Sequence, residues 1–394
     1  MQPRSTATSL EPAPLHGRIL QLDGLRGVAI LLVLLRHYIA VDAQPARHSL
    51  VARALFFLRL SWSGVDLFFV LSGFLIGGIL VDARGSPAYF KAFYARRFFR
   101  IVPVYAVVCV IFAAASAAGA ERWWGTGGAF LFSRPPPWYA FVFFLQNVFV
   151  AVRGTFDPLA VGVMWSLAIE EQFYLTLPLL VRLLPRERLL PVLLALVGLV
   201  PVARSIGFYT LPHGGLFAYT MMPFRADALL MGVIAAVLVR DPKAWEMLQQ
   251  RRRGIKVVAG LLGGVLLGFM VRGWYTHDAA AICTAGYTLI ALFYVCILLL
   301  AVTRGEGRLS VLLRARWLRS LGGIAYGTYL FHVAVQGICF GVIFGHEPRI
   351  TSWAELGTAA LAAAITIAIA RLSWNLFEKR MVSLGHGFAY APTP

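Results

Sequence analysis

Charge is scarce in this sequence. Asp, Glu, Lys and Arg make up 14% of 394 residues, where a soluble domain carries about a quarter, so a chain folded mainly against water is excluded. Acid is scarcer still, with 18 Asp and Glu against 36 Lys and Arg. Cysteine is limited to Cys109, Cys283, Cys296 and Cys339, all in apolar stretches. None has C-x-x-C or other metal-ligand spacing, so they read as small lipid-side or core residues and no metal site is expected. A nucleotide-binding glycine fingerprint is missing, and Ser72-Gly73 lacks the flanking G-x-S-x-G pattern of a nucleophile elbow. No polar stretch is long enough for a separate soluble domain.

Apolar sequence is what the chain has in abundance: 59% of residues are hydrophobic and the mean hydropathy is +0.74. Crossing a bilayer takes about 20 apolar residues at 1.5 Å each. The pattern therefore predicts an all-α polytopic transmembrane helix bundle of about ten spans, near 25–41, 61–81, 101–118, 162–181, 189–206, 217–239, 256–273, 280–302, 320–343 and 355–377. Trp138–Ala151 is apolar and aromatic but only about 14 residues long, which suits a re-entrant or interfacial segment near 138–151.

The net charge of +18 does not point to nucleic acid, because the basic residues sit in short clusters between apolar spans. They alternate by side, as the positive-inside rule requires: Arg84 to Arg100, Arg182 to Arg188, Arg240 to Lys256 and Arg304 to Arg319 share one face. A crossing at 138–151 would put Arg251-Arg252-Arg253 outside, so ten crossings with both termini cytoplasmic are expected. Val41-Asp42-Ala43 loosely resembles a signal-peptide cleavage site, but Arg36 and His37 inside the preceding run predict a retained first span. The expected organisation is a flexible cytoplasmic tail at 1–20, a membrane domain at 21–380 and a cytoplasmic tail at 381–394.

Several ionisable residues fall inside these spans, where a charge costs about 2.5 kcal/mol or more. Counting along each helix puts His37, Glu170, Glu171, Arg225, Asp227 and His332 about 12 to 18 Å from a helix end, which predicts one polar layer within the bundle. Arg26 and His37 are eleven residues apart, and eleven steps of 100° leave about 20° of rotation, so both are expected on one face. An arginine at the mouth suits bidentate phosphate binding, and a histidine deeper down suits proton abstraction. Each charge alone also reads as an interhelical ion pair, for instance Arg225 with Glu170 or Glu171. The spacing of His37 and Asp42 mimics an H-x4-D motif, but Asp42 would be rotated about 140° away at the outer helix end.

Leu22-Asp23-Gly24-Leu25-Arg26-Gly27, running on to His37, resembles the opening of the acyltransferase-3 family of bacterial membrane acyltransferases. The resemblance continues in Gly64–Ile76, in the basic loop Arg96–Pro103, in Trp165–Tyr174, in Arg225-Ala226-Asp227 and in Tyr326–His332. It implies acyl-CoA, with acetyl-CoA expected, as co-substrate. It also implies His37 as catalytic residue, and Arg26, joined by Arg97 and Arg100 of the basic loop, as acyl-CoA-binding. Glu170 is the expected partner that orients the imidazole. Asp66, Ser72, Glu171, Tyr174, Arg225, Asp227, Tyr329 and His332 are the remaining substrate-binding candidates in these motifs.

The implied acceptor is a hydroxyl on a cell-surface polysaccharide, lipid-linked sugar or small secondary metabolite, and the implied location is the bacterial inner membrane. Some members carry a further C-terminal SGNH hydrolase-like domain; the resemblance without it leads to the expectation that acceptor transfer occurs in the membrane domain or on a separate protein. Two other classes fit a ten-helix chain with charges at mid-membrane: a secondary transporter, although no inverted repeat is evident, and an assembly protein that has lost the chemistry.

Overall fold

The structure is a computed structural model that describes residues 19–40, 55–303 and 307–390. Residues 1–18 and 391–394 of the two tails, Val41 at the end of the first expected span, Asp42 and Arg304 lie outside the described residues. Among the described residues the chain is all-helical, without a strand.

Eleven helices carry the architecture: α1 (Leu20–Leu35), α2 (Gly64–Asp82), α3 (Tyr89–Ala117), α4 (Trp165–Leu183), α5 (Arg186–Thr210), α6 (Met222–Leu238), α7 (Arg252–Val271), α8 (Tyr287–Val302), α9 (Ala325–Phe344), α10 (Trp353–Ser373) and α11 (Lys379–His386). A π-helical turn, Arg36–Ala40, extends α1, and another, Trp374–Glu378, joins α10 to α11. Ser352 and Glu355 start α10 with a reciprocal capping box.

By length and composition, 8 helices among the described residues are apolar enough to cross a membrane. The two other expected spans correspond to α1 and α4. These hold Asp23, Arg26 and Arg36, and Glu170, Glu171 and Arg182 respectively. Both pack deep in the bundle: Leu25, Ala29, Ile30 and Val33 of α1 and Ala168, Ile169, Leu177 and Val181 of α4 are buried. Charge that would be costly against lipid is tolerated on helices enclosed by other helices. By contrast α7 turns Val257, Leu261, Val265 and Val271 outward, a surface suited to lipid tails.

Two boundaries differ from expectation. Helix α3 begins at Tyr89 rather than near 101, so Arg96, Arg97 and Arg100 sit on a helix and not in a loop. The segment around 138–151 forms two short helices, Trp138–Val142 and Gln146–Arg153, neither long enough to cross.

The central seam joins α2 and α6. A Cβ on Gly73 would lie 1.9 Å from the Leu229 carbonyl oxygen, and one on Gly232 would lie 2.2 Å from that of Val70. Only hydrogen at these positions lets the two backbones meet, the small-residue packing that membrane helices use in place of a hydrophobic driving force.

Candidate functional site

Two large cavities among the described residues concern the candidate site. The first, about 330 Å³, is enclosed by α1, α2, α3, α4 and α9. Arg26 comes from α1, Ser72 from α2, Arg97 and Arg100 from α3, Ser166, Glu170 and Tyr174 from α4, and Tyr326 and Tyr329 from α9. Phe68, Leu71, Leu75, Ile76 and Ile79 supply an apolar wall. Glu170 and Tyr174 are four apart on one helix, and Tyr174 donates to Glu170 Oε2 at 2.5 Å. Ser72 donates to the same oxygen at 3.0 Å and its hydroxyl also meets that of Tyr174. The carboxylate is thus engaged. No hydrogen bond from Arg26, Arg97 or Arg100 side chains to a protein acceptor occurs among the described residues, so three guanidinium groups face this cavity with donor capacity to spare.

The second cavity, about 210 Å³, is lined by Arg36, His37, Trp62, Phe156, Trp165, Tyr219 and His277, with Val65 and Tyr329 as walls that it shares with the first. Tyr329 therefore separates the two. Its hydroxyl donates to the Val163 carbonyl at 2.7 Å and lies 2.6 Å from Ser166 Oγ, which pins it to the start of α4. Burial lowers the pKa of His277, in the loop before α8, below the usual histidine range, with Asp278 opposing the shift.

His37 sits in the π-helical turn that ends α1. Its Nδ1 is 3.0 Å from the Val33 carbonyl oxygen and 3.3 Å from His332 Nε2. His332 Nδ1 in turn lies 2.6 Å from the Tyr329 carbonyl oxygen. A carbonyl only accepts, so with both rings neutral each Nδ1 carries the proton. His332 Nε2 then accepts from His37 Nδ1–H, and the lone pair of His37 rests on Nε2. The rings meet edge to face with centroids 4.7 Å apart, and Gln336 Nε2 donates to the His37 carbonyl at 2.9 Å. Only the last two of the eleven steps from Arg26 to His37 lie in the π turn, so their rotational offset stays small, and the two residues reach adjoining cavities. Arg26 lines the first cavity and His37 the second.

The single polar layer expected from the sequence is divided. Glu170 is placed across the first cavity, bonded to Ser72 and Tyr174, and the side chain next to His37 is His332. Arg225 pairs with neither Glu170 nor Glu171 but with Asp66, at 2.6 Å, and stacks over Tyr287 with its Cζ 3.9 Å from the ring centroid. Asp227 pairs with Arg204 at 2.8 Å and accepts from Thr288 at 2.6 Å. These buried pairs tie α2 and α5 to α6 and line neither cavity. Glu171 lines neither as well, and its Oε1 is buried without a partner among the described residues.

Arg204 went unread because it sits near the end of an apolar span. Apart from Trp165 and Tyr329, the aromatic wall of the second cavity comes from four separate segments with no shared motif, through Trp62, Phe156, Tyr219 and His277. Among the described residues no group of three or more His, Cys, Asp and Glu side chains is arranged to hold a metal ion.

A family model described as an acyltransferase domain matches residues 19–373. The chain is 27% identical over 386 residues to the peptidoglycan O-acetyltransferase OatA of Listeria monocytogenes, covering 91% of this chain and 54% of that protein. It is 28% identical over 398 residues to the putative peptidoglycan O-acetyltransferase YrhL of Bacillus subtilis, covering 94% and 56%. To the O-acetyltransferase OatA of Staphylococcus aureus it is 25% identical over 383 residues, covering 94% and 58%. The chain thus spans a little over half the length of these curated relatives. No solved structure matches it.

Proposed function

The chain belongs to the acyltransferase-3 family, and on that premise we propose that it is a membrane O-acyltransferase that moves an acyl group from acyl-CoA in the arginine-lined cavity to a hydroxyl held in the aromatic one. The relatives' names favour acetyl as the group transferred and a cell-wall glycan as the acceptor. Arg26, Arg97 and Arg100 offer forked donors suited to the phosphates of coenzyme A, and the apolar wall from Phe68 to Ile79 suits its thioester arm. The second cavity has the make-up of a small-molecule site, mostly aromatic with a few polar groups. The basic clusters support a cytoplasmic donor side and cytoplasmic termini, in the inner membrane of a bacterium.

The observation that carries this reading is His37 with Nδ1 fixed by Val33 and His332 and its Nε2 lone pair left for chemistry, beside the Tyr329 wall that divides the cavities. In the direct route Nε2 takes the acceptor's hydroxyl proton while that oxygen bonds to the thioester carbon. The C–S bond then breaks and the imidazolium returns the proton to the departing thiolate. In the covalent route Nε2 attacks the thioester carbon itself, thiolate leaves, and the acceptor oxygen displaces the imidazole in a second step, its proton passing to the freed Nε2 and on to the thiolate. Both routes need the same nitrogen and the same tautomer.

The test is release of free thiol from acetyl-CoA by protein purified in detergent, with no sealed compartment and no gradient, on addition of peptidoglycan fragments. Acceptor-dependent thiol release supports transfer. Acetyl-CoA left intact in the presence of every hydroxyl acceptor offered, by monodisperse protein, refutes it and returns the transporter reading.

A further inference from the structure

Helix α3 presents three arginines within five residues, and one of them already has partners. Arg96 Nε donates to the Phe388 carbonyl at 2.8 Å, and its Cζ lies 4.8 Å from the centre of the Tyr390 ring. Phe99 stacks on Phe388 with centroids 6.0 Å apart, and a Cβ on Gly385 would meet Phe99 Cβ at 3.1 Å. The stretch expected to be a tail is therefore docked: α11 and the residues after it lie along the basic face of α3.

That docking closes a third, small cavity of about 70 Å³ whose polar lining is Arg96, Arg97, Arg100, His386 and Tyr390. Its walls include no carboxylate. A cavity needs only about 10–15 Å³ of such space to admit one water, so this one accepts a group the size of a phosphate. It adjoins the arginine-lined cavity along Ile79, Arg97 and Arg100.

We propose that this cavity binds a terminal phosphate monoester, with His386 and Tyr390 of the C-terminal segment completing a site begun by Arg97 and Arg100. Five side chains that donate and none that only accepts make an anion site, and the spread of donors over α3, the end of α11 and the residues after it suits the three oxygens of a phosphate better than a planar carboxylate. Arg96 is the anchor that holds the segment in place. The assignment rests on the proposed donor reading: a ligand whose thioester arm fills the large cavity would set its terminal phosphate in the small one. The same chemistry is offered by a phosphomonoester lipid headgroup, so the experiment includes both sources.

The test compares steady-state kinetics with acetyl-CoA and with acetyl-dephospho-CoA, which lacks only the terminal phosphate, for wild type, His386→Ala and Tyr390→Phe. Loss of one charge-assisted hydrogen bond predicts a rise in KM for acetyl-CoA of about tenfold in each variant, and less than about twofold for acetyl-dephospho-CoA. His386→Lys keeps an N–H donor there and should restore most of the preference, which a variant damaged only in folding would not do. An unchanged ratio of the two KM values in all variants, with wild type active, overturns the phosphate site and leaves the donor reading standing. Failure of wild type to turn over acetyl-CoA overturns both. The lipid source is tested in nanodiscs containing phosphatidic acid or phosphatidylcholine. Binding of phosphatidic acid that His386→Ala abolishes, with no change in KM for acetyl-CoA, would uphold the phosphate site and assign it to a lipid headgroup in place of the acyl donor.

Discussion

Replacing His332 by Ala removes the acceptor 3.3 Å from His37 Nδ1 while leaving the Val33 carbonyl at 3.0 Å in place. His332 is fully buried and reaches His37, not the lining of either large cavity, so its role here is to position the imidazole. A neutral hydrogen bond contributes about 0.5–1.5 kcal/mol net, and about 1.4 kcal/mol is a factor of ten, which predicts a fall in kcat of about two- to twelvefold. His37→Ala should cost about 10²–10⁴, the range for losing a general base. His332→Gln keeps an acceptor of similar reach and should recover most of the rate. The Tyr38 hydroxyl donates to the His332 backbone carbonyl at 2.8 Å, a contact these substitutions leave intact. Thiol release from acetyl-CoA at saturating acceptor is the assay, with the melting temperature as a control on folding. A loss as large as that of His37→Ala would make His332 a reacting group, and no loss at all would leave the Val33 carbonyl as the sole orienting group. In the His37→Ala background, His332→Ala should have no further effect, because the two act as a unit.

Arg26→Ala should raise KM for acetyl-CoA with kcat little changed, because a phosphate contact made equally in ground and transition states is uniform binding, and Arg26→Lys should recover only part. If it penalises acetyl-pantetheine as much as acetyl-CoA, Arg26 does not read the nucleotide. Asp66→Ala leaves Arg225 buried and unpaired and should destabilise the fold by about 3–5 kcal/mol, seen as a large drop in melting temperature. An unchanged melting temperature with weakened acceptor binding would restore Asp66 and Arg225 as substrate contacts. A single cysteine introduced in the 251–253 loop should resist an impermeant thiol reagent in intact cells, whereas one near His346 should react; labelling of the first would invert the orientation.

The helices were legible because apolar runs of the right length leave the backbone few choices in lipid. Their internal addresses were less so. Arg26, His37, Ser72, Glu170, Tyr174, Tyr329 and His332 could be singled out as polar residues in apolar helices, yet His37 and His332 lie 295 residues apart and nothing in spacing makes them neighbours. The same counting placed Arg225 and Asp227 at the depth of His37, but helix depth says nothing about azimuth across a bundle. Azimuth is what sends these two residues to Asp66 and Arg204. Counting along α1 gives no sign of the π turn at Arg36–Ala40, nor of the Tyr329 wall that puts Arg26 and His37 in different cavities. His386 and Tyr390 read as tail because α11 is short and polar, and what holds it is the stacking of Phe388 on Phe99 and of Tyr390 under Arg96, long-range contacts with no local signature.

Whether His37 Nε2 carries acyl transfer between the two cavities is decided by radiolabelled acetyl transfer from acetyl-CoA to peptidoglycan fragments, compared for purified wild type and His37→Ala. The variant should lose about 10²–10⁴ in turnover, with KM for acetyl-CoA and the melting temperature close to wild type. Turnover by well-folded His37→Ala within about threefold of wild type, far short of that range, would contradict it and reduce His37 to a packing residue.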